Sequence, residues 1–467
     1  MLETNLESER VGEDRKHTAR FWRKTLWAFT FSVTLVALFP VGLGAQTASS
    51  PAQAAGFGTG VQTPLRYAGE SGSTNQMSLS MGASALYDDN IFQNNLERLS
   101  DEAVSLSSQF NIMRQTEHVT INFGYMPFFL LYWRNSQFDR LNHSANLSMN
   151  FQLTPRFSLG LHDTFSYLNG AYPSLTLSGQ QILSGPTSPT ALNQSIFTPT
   201  VRTLSNSSGL DLTFTKSRRT SLTLSGGYNQ QKFGTTAVAG QQLYGSSGLS
   251  GGLQYQYRIT EHTSFGLLLL HQDSTFRGGD VFGSSLRSQS ESAFVSLATR
   301  MSPTVTLTIF GGPQYVHTIG QSSAGASIAG QFLGAGGGSI TKEVQKTAFD
   351  LSVQRTITSG NGLYTLVIAT TASFGVRRGL VGRWEAAMHG GAARADASLS
   401  QFAHGRTDSL TGGIDFSRPL RGGSVFRISY ETIHQLSKGA LPISADFDRN
   451  QVTIGFDYQL KAISLGR

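Results

Sequence analysis

From residue 77 onward the chain advances in steps of two. Met77, Leu79, Met81, Ala83, Ala85 and Tyr87 share one parity, while Ser78, Ser80, Gly82 and Ser84 hold the other. That spacing sends alternate side chains to opposite faces of an extended strand, one face apolar and one polar. The pattern returns in Val104, Leu106, Phe110 and Ile112, in Val119, Ile121, Phe123 and Tyr125, and in Ala145, Leu147, Met149, Phe151 and Leu153. It continues to Val452, Ile454, Phe456, Tyr458 and Leu460, blurring only in the glycine-rich stretch around 332–341. The count is about eighteen segments, with about sixteen as the alternative, each near the roughly ten residues that a tilted strand needs to cross a bilayer.

The connections alternate in length. Short links fall at 115–118, 154–156, 217–219, 259–262, 302–303, 377–379 and 419–423; longer polar links lie at 88–102, 135–141, 168–202, 234–243, 274–289, 318–329, 396–406 and 437–448. Tight turns on one side and long loops on the other are the mark of an up-and-down antiparallel barrel, with the short turns in the periplasm. A soluble two-sheet sandwich also alternates, but its polar face meets bulk water and carries many Lys and Glu. Here that parity is mostly Ser, Thr, Gly, Asn and Gln, and only 14% of all residues are charged. If the apolar face meets hydrocarbon, unpaired backbone groups become costly and the sheet has to close on itself. The expected fold is all-β, a transmembrane β-barrel over 75–460, preceded by a lead-in at 55–74 and followed by a tail at 461–467.

The amino terminus reads as an export signal. Residues 1–24 carry charges of both signs and end in Arg20, Arg23 and Lys24, and the uncharged run 25–45 follows. That order is a secretory n-region and h-region, with cleavage expected between 45 and 55 and the signal segment taken as 1–54. An uncleaved membrane anchor is the alternative, weakened by Pro40 and Gly42. The absence of cysteine excludes disulfides, thiol nucleophiles and Cys-ligated metals, and a formal charge of +7 spread along the chain argues against a nucleic-acid partner. The expected location is the bacterial outer membrane.

Three stretches carry a family resemblance. The first strand ends in Tyr87, Asp88, Asp89, Asn90, Ile91 and Phe92; later come Gly311-Gly312-Pro313-Gln314-Tyr315, and Leu351-Ser352-Val353-Gln354-Arg355 followed by Ser359-Gly360-Asn361-Gly362-Leu363. Together these resemble the porin-like outer-membrane barrels encoded beside extracellular-polysaccharide and exosortase systems in Gram-negative bacteria. The resemblance spans most of the exported chain and implies a part in polysaccharide secretion. One departure is that Leu460 is followed by residues 461–467, where such barrels usually finish on an aromatic or Leu.

Candidate chemistry is sparse. Asp88, Asp89 and Asn90 could bind a divalent cation or bridge lipopolysaccharide, but a solvated turn is the expected reading because Asp and Asn are ordinary turn formers. His162/Asp163 and His271/Asp273 supply hydrolase residue types without a nucleophile motif, and parity points His162 inward and Asp163 outward. Gly56–Gly60 and Gly334–Gly338 lack the Lys-Ser/Thr of a phosphate loop. No catalytic residue, metal or cofactor is expected. Parity instead places Arg383, Glu385, Asp415, Arg427, Glu431 and Asp457 inside the barrel near one seam, with Asp211 and Asp350 on earlier strands. Such residues set selectivity in a channel, or form structural ion pairs across neighbouring strands. Tyr87, Tyr125, Phe165, Phe214, Tyr228, Tyr257, Phe416, Tyr430 and Tyr458 fall near strand ends on the apolar parity, as interfacial girdles require.

The expected function is a porin-like barrel assisting polysaccharide export, with a diffusion porin or a non-transporting surface barrel as alternatives. The partners are outer-membrane lipid and lipopolysaccharide, with polysaccharide or small polar solutes in the bore. The link 168–202 is long enough to fold inward as a constriction.

Overall fold

The computed structural model describes residues 75–93, 95, 98–169, 201–234, 243–277, 285–320, 328–360, 362–397, 405–439 and 446–465. The signal segment, the lead-in and the proposed 168–202 constriction, apart from its end residues, lie outside these. The wall strands are β1 (Gln76–Asp88), β2 (Asp101–Gln115), β3 (Val119–Tyr132), β4 (Arg140–Thr154), β5 (Phe157–Asn169) and β6 (Arg202–Ser217). They continue as β7 (Thr220–Phe233), β8 (Gly245–Arg258), β9 (Thr263–Arg277), β10 (Ser285–Ser302), β11 (Val305–Gly320) and β12 (Ile328–Val344). The last six are β13 (Thr347–Gly360), β14 (Tyr364–Gly379), β15 (Glu385–Asp396), β16 (Gly405–Pro419), β17 (Ser424–Gly439) and β18 (Phe447–Gln459).

Each strand pairs antiparallel with the next, and β18 returns to β1 through the register Ser80↔Gln459 to Asp88↔Gln451. Every wall strand therefore has two neighbours, and the eighteen form a closed up-and-down barrel. Beyond the wall, β19 (Ile463–Ser464) pairs with β1 at Gln76 and Met77, so part of the expected tail continues the ladder. The wall strands run 12 to 18 residues, longer than the alternation alone delimits, because several of the expected loops begin as strand.

The pleat sorts the residues as read. Leu224, Leu249, Phe349, Leu351, Ile414, Ile454 and Phe456 lie exposed on the outer face, at 42% to 64%. A water-facing protein rarely leaves an apolar surface this continuous. Tyr87, Tyr228, Tyr257, Phe416, Tyr430 and Tyr458 of the expected girdles are exposed on that face too. The short turns are built for tightness. Between β16 and β17, Gly422 and Gly423 take φ of 76° and 82°, a region open to glycine, and the Leu420 N–H reaches the Ser424 carbonyl at 2.7 Å.

A uniformly polar interior does not survive at the rim that carries the long links. Three buried apolar clusters lie there. Leu86, Ala103, Phe128, Leu130 and Tyr132 of β1–β3 enclose Ile91, and Phe92, Leu99 and Phe138 pack against them. Phe276, Leu286 and Val316 of β9–β11 meet Leu366, and Val201 and Leu243 meet Leu363, Tyr364, Val367 and Ala369. Parity failed here because it assigns a face and not what the face meets: chain folded into the mouth covers these inward side chains.

Candidate functional site

The bore has an outer mouth at the long-link rim and a charged strip nearer the short turns. The mouth is dominated by the end of the β13–β14 hairpin, residues 356–360 and 362–368. The β12–β13 ladder stops at Gly336↔Arg355, although β12 itself continues against β11 to Thr318↔Ile328. Past that point Leu366, Ile357 and Ile368 keep the parity of the outward Leu351 and Phe374, yet they pack on Phe276, Leu286 and Val316, inward residues of β9–β11. An outward face can meet an inward face only if the hairpin has bent into the lumen. It forms a tongue.

The tip of the tongue touches strands far apart around the wall. On one side the Tyr364 hydroxyl stands 3.2 Å from the Thr407 hydroxyl on β16, with both residues buried. On the other, the Tyr244 N–H, just before β8, donates to the Gly362 carbonyl at 2.9 Å. Gly362 has φ of 86°, and a Cβ there would sit 2.6 Å from the Phe233 ring and 3.1 Å from Leu243. Only glycine meets both the backbone and the space requirement. Ser359, Gly360, Gly362 and Leu363 of the resemblance-bearing stretch thus lie at the tip of this tongue.

The YDDNIF stretch is the second device at the mouth, and it is not a solvated turn. The Asp88 carboxylate is fully buried; it accepts from Arg449 Nε at 3.1 Å and Nη2 at 2.5 Å, from Gln451 Nε2 at 2.9 Å and from the Asn90 N–H at 3.0 Å. Asp89 accepts from the backbone and side-chain N–H groups of Asn450, each at 2.7 Å, and from Arg98. Asn90 Nδ2 donates to the Asp448 carbonyl at 2.8 Å. Three consecutive side chains on the first strand's exit therefore grip the entry of the last strand. With both carboxylates engaged by arginine and amide donors, the arrangement is a clamp on the closing seam rather than a cation site. Beside it Arg140 stacks over the Tyr132 ring at 5.5 Å.

Lower in the bore lies a charged strip on the inner parity of the wall. Arg427 Nη2 lies 3.4 Å from Asp457 Oδ2, and Glu385 Oε1 lies 3.4 Å from Arg377 Nε. Asp415 faces His389 at 3.6 Å, and Asp211 faces His162 at 3.6 Å. Asp350 points inward, filling the space a Cβ on Gly375 would need. Glu431 is buried on the inner face opposite Gln451, close to the clamp rather than in the lower strip. Arg383 is not in the wall: it sits exposed on the short turn before β15 with φ of 66°. The alternation was extended one residue pair too far past the start of the strand.

Sequence reasoning placed Arg377 in a short link at 377–379, but β14 runs through Gly379 and carries it on the inner face; His389 and Arg449, on the inward parity already in use, were missed. The strip holds two adjacent ion pairs, Arg377–Glu385 on β14–β15 and Arg427–Asp457 on β17–β18, so it can present both signs to a solute while partly cancelling its net field. No hydrolase constellation forms from the candidates named above: His162 pairs inward with Asp211, whereas Asp163 faces outward and accepts from Asn206 and Ser208.

No protein-family model matches the chain, and neither does any curated protein sequence. Among solved structures, OccAB4 of Acinetobacter baumannii is similar at 12% identity over 83% of this chain and 99% of that one, with a TM-score of 0.40. The outer membrane protein OpdK of Pseudomonas aeruginosa gives 12% over 82% and 99%, with a TM-score of 0.40. The FrpB iron transporter of Neisseria meningitidis gives 9% over 83% and 82%, at 0.43. The barrel assignment itself rests on this chain's own closed ladder.

Proposed function

We propose that the chain is a porin-like barrel of the bacterial outer membrane that passes polar solutes, and that it assists export of extracellular polysaccharide. The observation that carries the membrane reading is the closed wall with leucine, isoleucine and phenylalanine outside and an inner lining below the mouth made largely of Ser, Thr, Asn, Gln and Gly. Such a wall satisfies its backbone internally and offers hydrocarbon an apolar belt and solutes a hydrogen-bonding bore. In this orientation the short turns face the periplasm and the tongue stands at the cell surface.

A lining of hydroxyls and amides suits a neutral glycan, whose hydroxyls exchange hydrogen bonds with it and need no ion pairing. The resemblance of the 87–92, 311–315, 351–355 and 359–363 stretches to barrels of polysaccharide systems supports the same substrate class. The paired charges on β14–β18 favour a second reading, a substrate-specific diffusion porin, because alternating signs in a narrow strip discriminate among small polar solutes.

Two measurements test these readings. Purified protein in a planar bilayer is expected to give discrete conductance steps; silence, with the tongue shortened as well as intact, would leave only a non-transporting barrel. Deleting the gene is expected to lower extracellular polysaccharide. Unchanged polysaccharide alongside measurable conductance would replace export by diffusion.

A further inference from the structure

We infer that the outer face of β13–β17 carries a site for the phosphates of an outer-leaflet glycolipid, an inference that rests on the membrane reading above. Arg355, Arg394, Arg406 and Lys438 share the parity of the belt residues Val353, Met388, Leu410 and Leu436, and so face outward at the belt's long-link edge. The register brings them together. Arg355 lies opposite Thr370, Thr370 opposite Arg394, and Arg394 opposite Asp408. Arg406 lies opposite both Asp396 and Lys438. Four cations on neighbouring strands thus share two rows with two carboxylates, Asp396 and Asp408.

Asp408 organises the centre. It accepts from Arg394 Nε at 2.9 Å and from Arg406 Nε at 3.0 Å and Nη2 at 2.6 Å, holding the two guanidinium groups side by side. Their side chains remain 58% and 41% exposed. Guanidinium forks match phosphate oxygens two at a time, and orienting them beforehand reduces the ordering cost of binding. By contrast, three other outward contacts at this rim are one to one: Asp273 with Arg287, His271 with Glu291, and His434 with Asp448. Arg202, Lys232 and Arg277 also stand at the rim, on β6, β7 and β9, and provide a control of similar charge. At the edge of the hydrocarbon, where water screens less, the excess positive charge on β13–β17 is complementary to a lipid headgroup bearing phosphates.

The test uses the full exported chain in detergent, native mass spectrometry, and bisphosphorylated lipid A as the probe. The wild-type protein is expected to retain the lipid. R355Q/R394Q/R406Q/K438Q is expected to bind it at least about tenfold more weakly, with R394Q/R406Q accounting for most of the loss. Dephosphorylated lipid A should bind both proteins weakly and equally. Retention of wild-type affinity by the quadruple variant overturns the site. An equal loss in R202Q/K232Q/R277Q does so too, since it indicates general attraction. Displacement by equimolar pyrophosphate assigns the groups to free phosphate and removes the lipid. Heat-dependent gel mobility confirms a folded barrel in each variant. A wild-type chain that stays soluble without detergent sinks the membrane reading instead.

Discussion

Asp88, the last residue of the first strand, and Arg449, near the start of the last, form a buried ion pair at the point where the barrel closes, with side chains 0% and 3% exposed. The two residues lie 361 positions apart in sequence, and their contact joins the chain's ends into one ring. Among the wall ladders, β1–β18 joins strands that are not consecutive in the chain, so no direct connection between them sets its register. The clamp at its outer end supplies that register by side-chain chemistry.

Removing one member of the pair leaves the other charge buried without it. Asp88→Asn or Arg449→Met is expected to cost about 3–5 kcal/mol, more than the net worth of the intact pair. The check is the urea midpoint at which the folded band on unheated gels disappears. The double variant D88L/R449M should regain part of the loss, and single variants that unfold with the wild type would remove the clamp's structural role.

Gly362→Val should displace the tongue. A β-branched residue resists φ of 86°, and its Cβ would meet the Phe233 ring. Joining Ile357 to Ile368, which are cross-strand partners, through an Asn-Gly turn should remove the tip altogether. Both changes are expected to raise single-channel conductance at least about twofold, the shortened hairpin more than the point variant. Identical step sizes in all three proteins would mean that the tongue does not limit passage.

The lower strip predicts a sign. Asp457→Asn removes the negative partner of Arg427, and Asp415→Asn removes the carboxylate facing His389, so each should move ion selectivity toward anions. Arg427→Gln should move it toward cations. Reversal potentials across a KCl gradient measure the shift, and equal shifts of one sign from acid and base removal would contradict a lumenal position for the strip.

Neighbouring positions on β18 should respond oppositely to one new charge. Ile454, 47% exposed on the outer face, lies within the belt, and Ile454→Arg is expected to cost about 2–4 kcal/mol in a bilayer. Thr453→Arg points into the bore and should change conductance with a smaller loss of stability. The comparison is read from folding titrations in lipid vesicles, where equal costs at the two positions would contradict the assigned faces.

The wall was legible in the sequence because its rule is local. A strand's pleat fixes the face of every residue from parity alone, and that sufficed to place Leu249, Ile414 and Phe456 outside and Asp211, Asp415, Arg427 and Asp457 inside. It erred at Arg383, where the pleat gives way to a turn and parity loses its meaning. Asp88 was placed correctly at the end of β1, but nothing near it in sequence announces Arg449.

What tertiary structure alone decided is everything set by where distant segments meet. The same hydroxyl and glycine pattern would serve an open bore or an obstructed one. The difference lies in the β12–β13 ladder ending at Arg355 while β11–β12 runs on, which frees residues 356–360 and 362–368 to turn inward. Their apolar side chains then leave water by packing on Phe276, Val316 and Leu243, a gain that depends on three-dimensional proximity and leaves no periodic trace in the chain.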